Sequence, residues 1–369
     1  MVLIAVDSVF QLVNAMNIAY YEYSEQKVII LLKSIHSKTF WGEMNKDKNI
    51  YGVYYTNKKY ENRLNEIIWQ IEALLFPKSA TRRLINDKVV DFKISAIIAS
   101  ITWVDLLSPI YRTYKGAAKL YFVEEGVGTY VKQDRIFGKK SIINSIKFKL
   151  LKRQYIVDKG IFRFLLPNYM ENSHLKFEES PTLSSSIQFK ERLLNFFNGE
   201  KDVFKLKNYR IIYLEQTFNV KDESSNINEF DKLEELVKDI IIADQNAIIK
   251  SHPRYSRSQK DKHLVLKSMM PWEAIITAID INNKILVSIS STSIVTPKIM
   301  QNREPIVICL VKVFEEFLKL SLPKDRYKEV DNLIDFFSFI KSTYTNPNRF
   351  KIPSSIIELR SIMDNLDNI

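Results

Sequence analysis

The sequence predicts an α/β protein of two Rossmann-like halves, each a mostly parallel sheet wrapped by helices. Three observations predict it. Short apolar runs rich in β-branched residues alternate with segments of helical periodicity, the pattern of βα units on a parallel sheet. The alternation runs in two series, separated by a stretch near residues 185–205. The chain also has 369 residues, 46% of them hydrophobic. That exceeds the size at which one core stops growing, roughly 250–300 residues.

The elements follow in order. Leu3–Val6 reads as a strand and Val9–Tyr20 as the helix behind it. Lys27–Leu32 and Tyr51–Tyr55 are further strands. Glu61–Leu75 is a helix, because Leu64, Ile67, Ile68, Ile71 and Leu75 recur at helical spacing. Ile94–Ile101 is apolar enough for either strand or helix, Leu106–Tyr114 is helical, and Ala118–Val123 is a buried strand. The pattern breaks over residues 131–200, where a basic helical stretch, Ser145–Lys152, precedes a Pro- and Ser-containing zone, Glu179–Ser186, and the domain boundary is expected near 185–205. The second series begins with strand Tyr209–Leu214, helix Glu229–Ile242 and strand Ala247–Lys250. Helix Trp272–Ile279 follows Pro271. Strand Lys284–Ile289, a short helix at Ser293–Met300 and strand Pro305–Leu310 come next. Helices near Val313–Leu320, Val330–Lys341 and Ser354–Asp367 close the chain. The expected domains are 1–190 and 200–345, with a helix in 346–369 crossing back to the first. Two such domains facing a cleft describe a GT-B architecture, one candidate among doubly wound pairs.

Charge bears on partners more than on fold. The net charge is +11, from 54 Lys+Arg against 43 Asp+Glu. The excess suits nucleic acid, an anionic membrane face or an acidic ligand, and compositional drift in a Lys-rich chain is the plain alternative. The aromatics, 12% of residues, are scattered through apolar segments and not interleaved with a Lys/Arg run. No nucleic-acid motif appears, so nucleic acid is not the expected partner. The single cysteine, Cys309, sits in the apolar run Pro305–Leu310. It supports neither a disulfide framework nor a cysteine metal site and fits a reducing, cytoplasmic compartment. Met1–Val6 lacks a basic leader and is followed by Asp7, unlike a signal peptide. No run approaches the roughly 18 apolar residues of a membrane-spanning helix. If the protein works on membrane-borne glycans, the expectation is that it does so from the cytosolic surface.

Three loops can carry chemistry, each directly after an expected strand, where ligands bind in open α/β sheets. The first is Val123-Glu124-Glu125-Gly126-Val127-Gly128-Thr129-Tyr130. Adjacent carboxylates at a strand end point to opposite faces, so one faces the cleft. Gly126 and Gly128 let the backbone turn sharply behind them. A carboxylate so placed can take the proton of a sugar hydroxyl, and a solvated acidic turn is the bland alternative. The second loop is Lys250-Ser251-His252-Pro253-Arg254. Pro253 fixes the turn, Lys250 and Arg254 suit a phosphate, and the His252 imidazole can protonate a leaving group. A surface histidine in a turn is the alternative. The third, Ser290-Ser291-Thr292-Ser293, puts hydroxyls between a strand and a helix, which suits an anion or an ordinary helix cap. Pro271-Trp272-Glu273 places Glu273 in a first helical turn, where it favours the dipole or accepts bonds from ribose hydroxyls. No Asp-x-Asp loop, P-loop or zinc motif is present, so no metal is expected. A monophosphate donor needs less metal help than a diphosphate.

Glu-Glu-Gly at 124–126, His-Pro at 252–253 and Ser-Ser-Thr at 290–292, in that order, resemble the three signatures of bacterial sialyltransferases. The strings Val-Glu-Glu-Gly-Val-Gly-Thr-Tyr and Ile-Lys-Ser-His-Pro are most similar to the capsular polysialyltransferases. The opening segment Asp7–Ala15 also resembles lipooligosaccharide sialyltransferases. The resemblance implies a GT-B, inverting, metal-independent enzyme that moves sialic acid from CMP-sialic acid to a capsular polysaccharide or lipooligosaccharide. No cofactor is implied beyond the donor. The first domain becomes the acceptor domain and the second the CMP-sugar domain. Glu125 is favoured as base over Glu124. His252 lies on the CMP phosphate as acid or electrostatic partner. Ser290, Ser291 and Thr292 bind the same phosphate, with Lys250 and Pro253 beside it, and Glu273 holds the ribose. Gln11 and Asn14 meet donor sugar or acceptor, with Gly126 and Gly128 also on the substrate side. Lys139, Lys140, Lys147, Lys149, Lys152 and Arg153 suit a polyanionic acceptor or anionic lipid on the inner face of the cell membrane; a solvated basic helix is the other reading. Transfer to galactose and transfer to sialic acid both stay open. Two other functions compete: a glycosyltransferase of the same fold using another nucleotide sugar in surface-glycan synthesis, and a non-enzymatic basic protein that binds nucleic acid.

Overall fold

The computed structural model describes residues 1–33, 49–56, 71–73, 75–85, 90–100, 104–114, 116–124, 161–163, 177–183, 186–216, 224–243, 246–252, 264–266, 268 and 270–366. The chain divides into two compact units, Met1–Phe197 and Asn198–Ile369.

The first unit is built on seven strands: β1 (Val2–Val6), β2 (Val28–Lys33), β3 (Ile50–Thr56), β4 (Ala96–Ser100), β5 (Lys119–Val123), β6 (Ile161–Arg163) and β7 (Phe177–Glu179). Their order is β3-β2-β1-β4-β5-β6-β7, and every neighbouring pair is parallel. All five residues of β1 are fully buried. Parallel strands covered on both faces must be apolar throughout, which is why Val-Leu-Ile-Ala-Val carries no polar alternation. One face of the sheet, through Leu3, Ala5, Ile97, Ala99 and Leu120, shares a core with Ala80 and Leu84 of helix Pro77–Leu84 and Leu107 and Ile110 of helix Val104–Tyr114.

Helix Val9–Glu22 follows β1 and packs on it. Residues 11–19 of this helix are all buried, because a second layer covers its outer side. Tyr20 packs against Phe189 with the rings tilted and their centroids 5.1 Å apart, and Asn17 Nδ2 donates to the Pro181 carbonyl at 2.8 Å. The Pro- and Ser-containing zone of the sequence is thus a packed strap at Ser180–Leu183. The stretch read as an inter-domain linker near 185–205 forms two helices, Ile187–Phe197 and Glu200–Lys207. Phe189, Leu193, Phe196 and Phe197 are the buried stripe of the first.

The second unit carries β8 (Ile211–Leu214), β9 (Ala247–Lys250), β10 (Val265–Leu266), β11 (Ile285–Ser288), β12 (Ile306–Cys309) and β13 (Phe350–Lys351). The order is β10-β9-β8-β11-β12-β13, again parallel throughout. Counted within the unit this is 3-2-1-4-5-6, the doubly wound Rossmann order, and the first unit shares it with one strand added. Each unit is therefore a Rossmann-like α/β domain, as the sequence predicts. The order reverses between β8 and β11, the switch point at whose strand ends ligands bind in open α/β sheets. The last helix, Ile356–Asp364, packs against helix Ser224–Ile242 within the second unit. The basic helix expected at 145–152 and most of the helix expected at 61–75 lie outside the described residues. Among the described residues no helix is long and apolar enough to cross a membrane.

Candidate functional site

The second unit gathers the sequence-predicted residues around its switch point. Lys250 is the last residue of β9 and is buried, 5% exposed. Its ammonium makes no hydrogen bond among the described residues. Burial pushes its pKa down to about 8, while the Glu273 and Asp202 carboxylates pull the other way. Glu273 stands in the first turn of helix Trp272–Ala278, behind Pro271. Burial raises its carboxyl above the usual range, opposed by its own backbone N–H and by Lys250. Lys250 and Glu273 are therefore electrostatic neighbours, and the former's strand end and the latter's helix meet at one place. Ser251 and His252 continue from Lys250 and are partly buried. Ser251 is fixed by bonds from its N–H (3.2 Å) and Oγ (3.3 Å) to the Leu266 carbonyl.

One strand beyond β8, the hydroxyl segment leaves β11. The structure corrects one detail of the sequence reading here. The segment enters a three-residue 3₁₀ turn, Thr292–Ile294, and the α-helix begins only at Thr296. A turn this short has almost no dipole to offer an anion, so the hydroxyls matter more than the helix. Each has a distinct role. Ser290 Oγ donates to Gln216 Oε1 at 3.1 Å, and the Ser290 N–H donates to the same oxygen at 3.2 Å. Ser291 Oγ accepts from the Ser293 N–H at 3.3 Å, capping the turn. The Thr292 hydroxyl makes no hydrogen bond among the described residues. At the far end of the turn, Trp272 Nε1 donates to the Ser293 carbonyl at 2.6 Å. The indole thereby links the helix that bears Glu273 to the turn that bears Ser290, Ser291 and Thr292.

Beneath these residues lies a buried ionic group. Lys238 Nζ is 2.9 Å from Glu215 Oε1 and 3.0 Å from Glu234 Oε1, all three side chains under 10% exposed. Burial by itself would lower the Lys238 pKa, but the two carboxylates outweigh it and the net shift is upward. Glu215 follows β8 directly, and its N–H donates to the Lys250 carbonyl at 3.1 Å. The ion group thus braces the strand ends that carry Lys250 and Gln216.

In the first unit, the carboxyl end of β1 is spent largely on the fold. Ser8 and Gln11 form a capping box: the Ser8 side chain accepts from the Gln11 N–H, and Gln11 Oε1 accepts from the N–H groups of Asp7 (2.9 Å) and Ser8 (3.0 Å). This is the Ser-x-x-Gln signature of a helix start. Asn14 is fully buried, and its Oδ1 accepts from Ser180 Oγ at 2.9 Å. Its Nδ2 has no partner among the described residues. Gln11 and Asn14 are therefore seen holding the helix and the Ser180 strap. Glu124, directly after β5, is fully buried. Glu125, Gly126, Gly128 and Pro253, with the basic residues of 139–153, lie outside the described residues. Among the described residues no group of three or more His, Cys, Asp or Glu side chains is placed to hold a metal ion.

Sequence reasoning passed over Gln216, the Trp272 indole and the Lys238 ion group. Gln216 had a usable signal, since it lies two residues past an apolar strand, where ligand loops begin. Trp272 was read only for its neighbours, Pro271 and Glu273. Half of the ion group had a local signal, Glu234 and Lys238 at i, i+4 on one helix; the other half, Glu215, had none, being 23 residues from Lys238.

A family model described as alpha-2,8-polysialyltransferase (POLYST) matches residues 2–310. No curated protein sequence matches the chain. Among solved structures it is similar to the alpha/beta-galactoside alpha-2,3-sialyltransferase of the luminous marine bacterium Photobacterium phosphoreum. That likeness has 16% identity and a TM-score of 0.49, over 95% of this chain and 98% of that one. It is similar also to UDP-GlcNAc 2-epimerase of Methanocaldococcus jannaschii, at 13% identity and TM-score 0.46 over 100% and 99% of the two chains. UGT2 of Phytolacca americana gives 11% identity and TM-score 0.44 over 98% and 99%.

Proposed function

The chain belongs to the alpha-2,8-polysialyltransferase family, and on that premise we propose that it transfers sialic acid from CMP-sialic acid to the sialylated end of a surface glycan. The observation that carries the reading is the ammonium of Lys250, buried beside Glu273 with no hydrogen-bonded acceptor among the described residues, near a hydroxyl turn where β8, β9 and β11 end. A buried cation lacking an acceptor is costly, and an anionic ligand would remove that cost. A nucleoside monophosphate has both the charge for Lys250 and ribose hydroxyls for Glu273.

In the proposed reaction an acceptor hydroxyl attacks the anomeric carbon directly, with inversion, and CMP leaves. Lys250, Ser291 and Thr292 bind the phosphate, Ser290 shapes the turn, and His252 meets the charge that develops on the leaving group. Glu125 takes the acceptor proton; Glu124, sealed from solvent, is a poorer base. The phosphate charge is met by side chains, so the reaction needs no metal. The basic surplus of the chain faces a polyanionic acceptor or the anionic inner face of the cell membrane. Arginine- and lysine-rich surfaces gain on both through long-range attraction.

Incubation of the purified protein with CMP-sialic acid in EDTA, with an α-2,8-linked oligosialic acid and a galactose-terminated glycan as parallel acceptors, tests the proposal by product mass. Lengthening of the oligosialic acid, one CMP released per residue added, is the expected result. Turnover of a UDP-sugar with none of CMP-sialic acid would overturn the donor assignment.

A further inference from the structure

Gln216 lies at the carboxyl end of β8 but belongs to none of the sequence motifs. The ends of β8 and β11 are joined there at two successive points. Ser288 Oγ donates to the Leu214 carbonyl at 2.7 Å, fully buried. Two residues further along each chain, Gln216 Oε1 receives both the N–H and the hydroxyl of Ser290. The opposite end of the turn is held by the Trp272 indole on the Ser293 carbonyl. The segment Ser290–Ser293 is thus pinned at both ends, with Ser291 and Thr292 between the pins. Ser290 is itself 6% exposed, and its one hydroxyl proton is committed to Gln216. Ser291 and Thr292 are partly exposed, and the Thr292 hydroxyl is uncommitted among the described residues. Hydroxyls held in fixed orientation before a charged ligand arrives need little reorganisation when it binds, which is how preorganised donors stabilise charge.

We infer that Gln216 is a positioning residue of the donor site, acting through Ser290 to orient Ser291 and Thr292. The inference rests on reading those strand ends as the nucleotide site. The requirement is for an acceptor oxygen at the end of a side chain of this length. Gln216→Glu keeps such an oxygen and the length; Gln216→Met keeps the length and loses the oxygen; Gln216→Asn keeps the oxygen and loses the reach.

The test measures Kd for CMP by calorimetry and kcat and KM for CMP-sialic acid on the full chain, with melting temperature alongside. If wild-type protein does not bind CMP, the donor-site reading fails and not this inference. With wild-type binding in hand, Gln216→Met and Gln216→Asn are expected to weaken CMP about tenfold, on the order of the loss of two hydrogen bonds' worth of order. Gln216→Glu is expected to restore most of that affinity. Ser290→Ala combined with Gln216→Met is expected to cost no more than the larger single change, since both act on one turn. A Gln216→Met protein with a lower melting temperature but unchanged Kd and kcat/KM would overturn the inference, leaving a structural role alone. Weaker binding by Gln216→Glu than by Gln216→Met would overturn it too, because a negative charge would then stand against the phosphate itself. Should Gln216→Met not fold, the Glu and Asn variants give the same decision.

Discussion

The Lys250 ammonium is buried, with no hydrogen-bonded acceptor among the described residues, and burial draws its pKa from 10.5 down to about 8. The folded chain therefore favours the neutral amine more than the unfolded chain does. Below about pH 8 both states are protonated, and the folded state bears the whole cost, roughly 3 kcal/mol at about 1.4 kcal/mol per pKa unit. Between about 8 and 10.5 the folded state releases its proton while the unfolded state keeps it, so stability rises with pH. Lys250→Met should accordingly be more stable than wild type at pH 7, with the advantage fading toward pH 10.5. Urea midpoints for both proteins at pH 7 and pH 10 measure this, and a pH-independent difference would remove Lys250 as its source. The same variant should lose CMP affinity if the proposed role holds, because the residue that destabilises the free protein is then the one that binds the phosphate. For the chemical step, Glu125→Gln and His252→Ala should each lower kcat by about 10²–10⁴-fold, the usual range for acid–base groups, with melting temperature unchanged. Near-full turnover by either variant would strike that residue from the mechanism.

Helix Ser224–Ile242 and the residue that follows β8 are joined by the Lys238 group. Removing the cation strands two buried carboxylates, so Lys238→Met should cost about 3–5 kcal/mol, read as a shift in urea midpoint. The raised Lys238 pKa means the contribution is fully present at neutral pH and is lost only as pH climbs above the ordinary lysine range. A cost below about 1 kcal/mol would mean the carboxylates find other partners. Legibility in the sequence follows the same physics. Strands β1, β2, β8, β9, β11 and β12 were readable because sheet interiors buried on both faces demand unbroken apolar runs. Strands β6, β7, β10 and β13 were not, being two or three residues long, too short for any period. Helix Ile187–Phe197 was hidden by the Pro- and Ser-rich strap before it, although Phe189, Leu193 and Phe196 keep helical spacing. At the site, Lys250, Glu273 and Ser290–Thr292 stood out as charge or hydroxyls past a strand. Gln216, uncharged and outside any motif, acquires its meaning only through a partner 74 residues away.

Across the whole chain, the two units repeat one strand order, and among the described residues it is the second that gathers a cation, a carboxylate and a hydroxyl turn at its strand ends. The corresponding place in the first unit is occupied by a capping box and by a buried asparagine bonded to a strap. On this the proposed function rests its central claim, a donor nucleotide bound by the second unit. Hydrogen exchange of the full chain with and without saturating CMP tests it most directly. The account predicts slowed exchange at Glu215–Gln216, Lys250–His252 and Ser288–Thr296, with helix Val9–Glu22 unchanged. Protection confined to the segments that follow β1 and β4, with none after β8, β9 or β11, would contradict it.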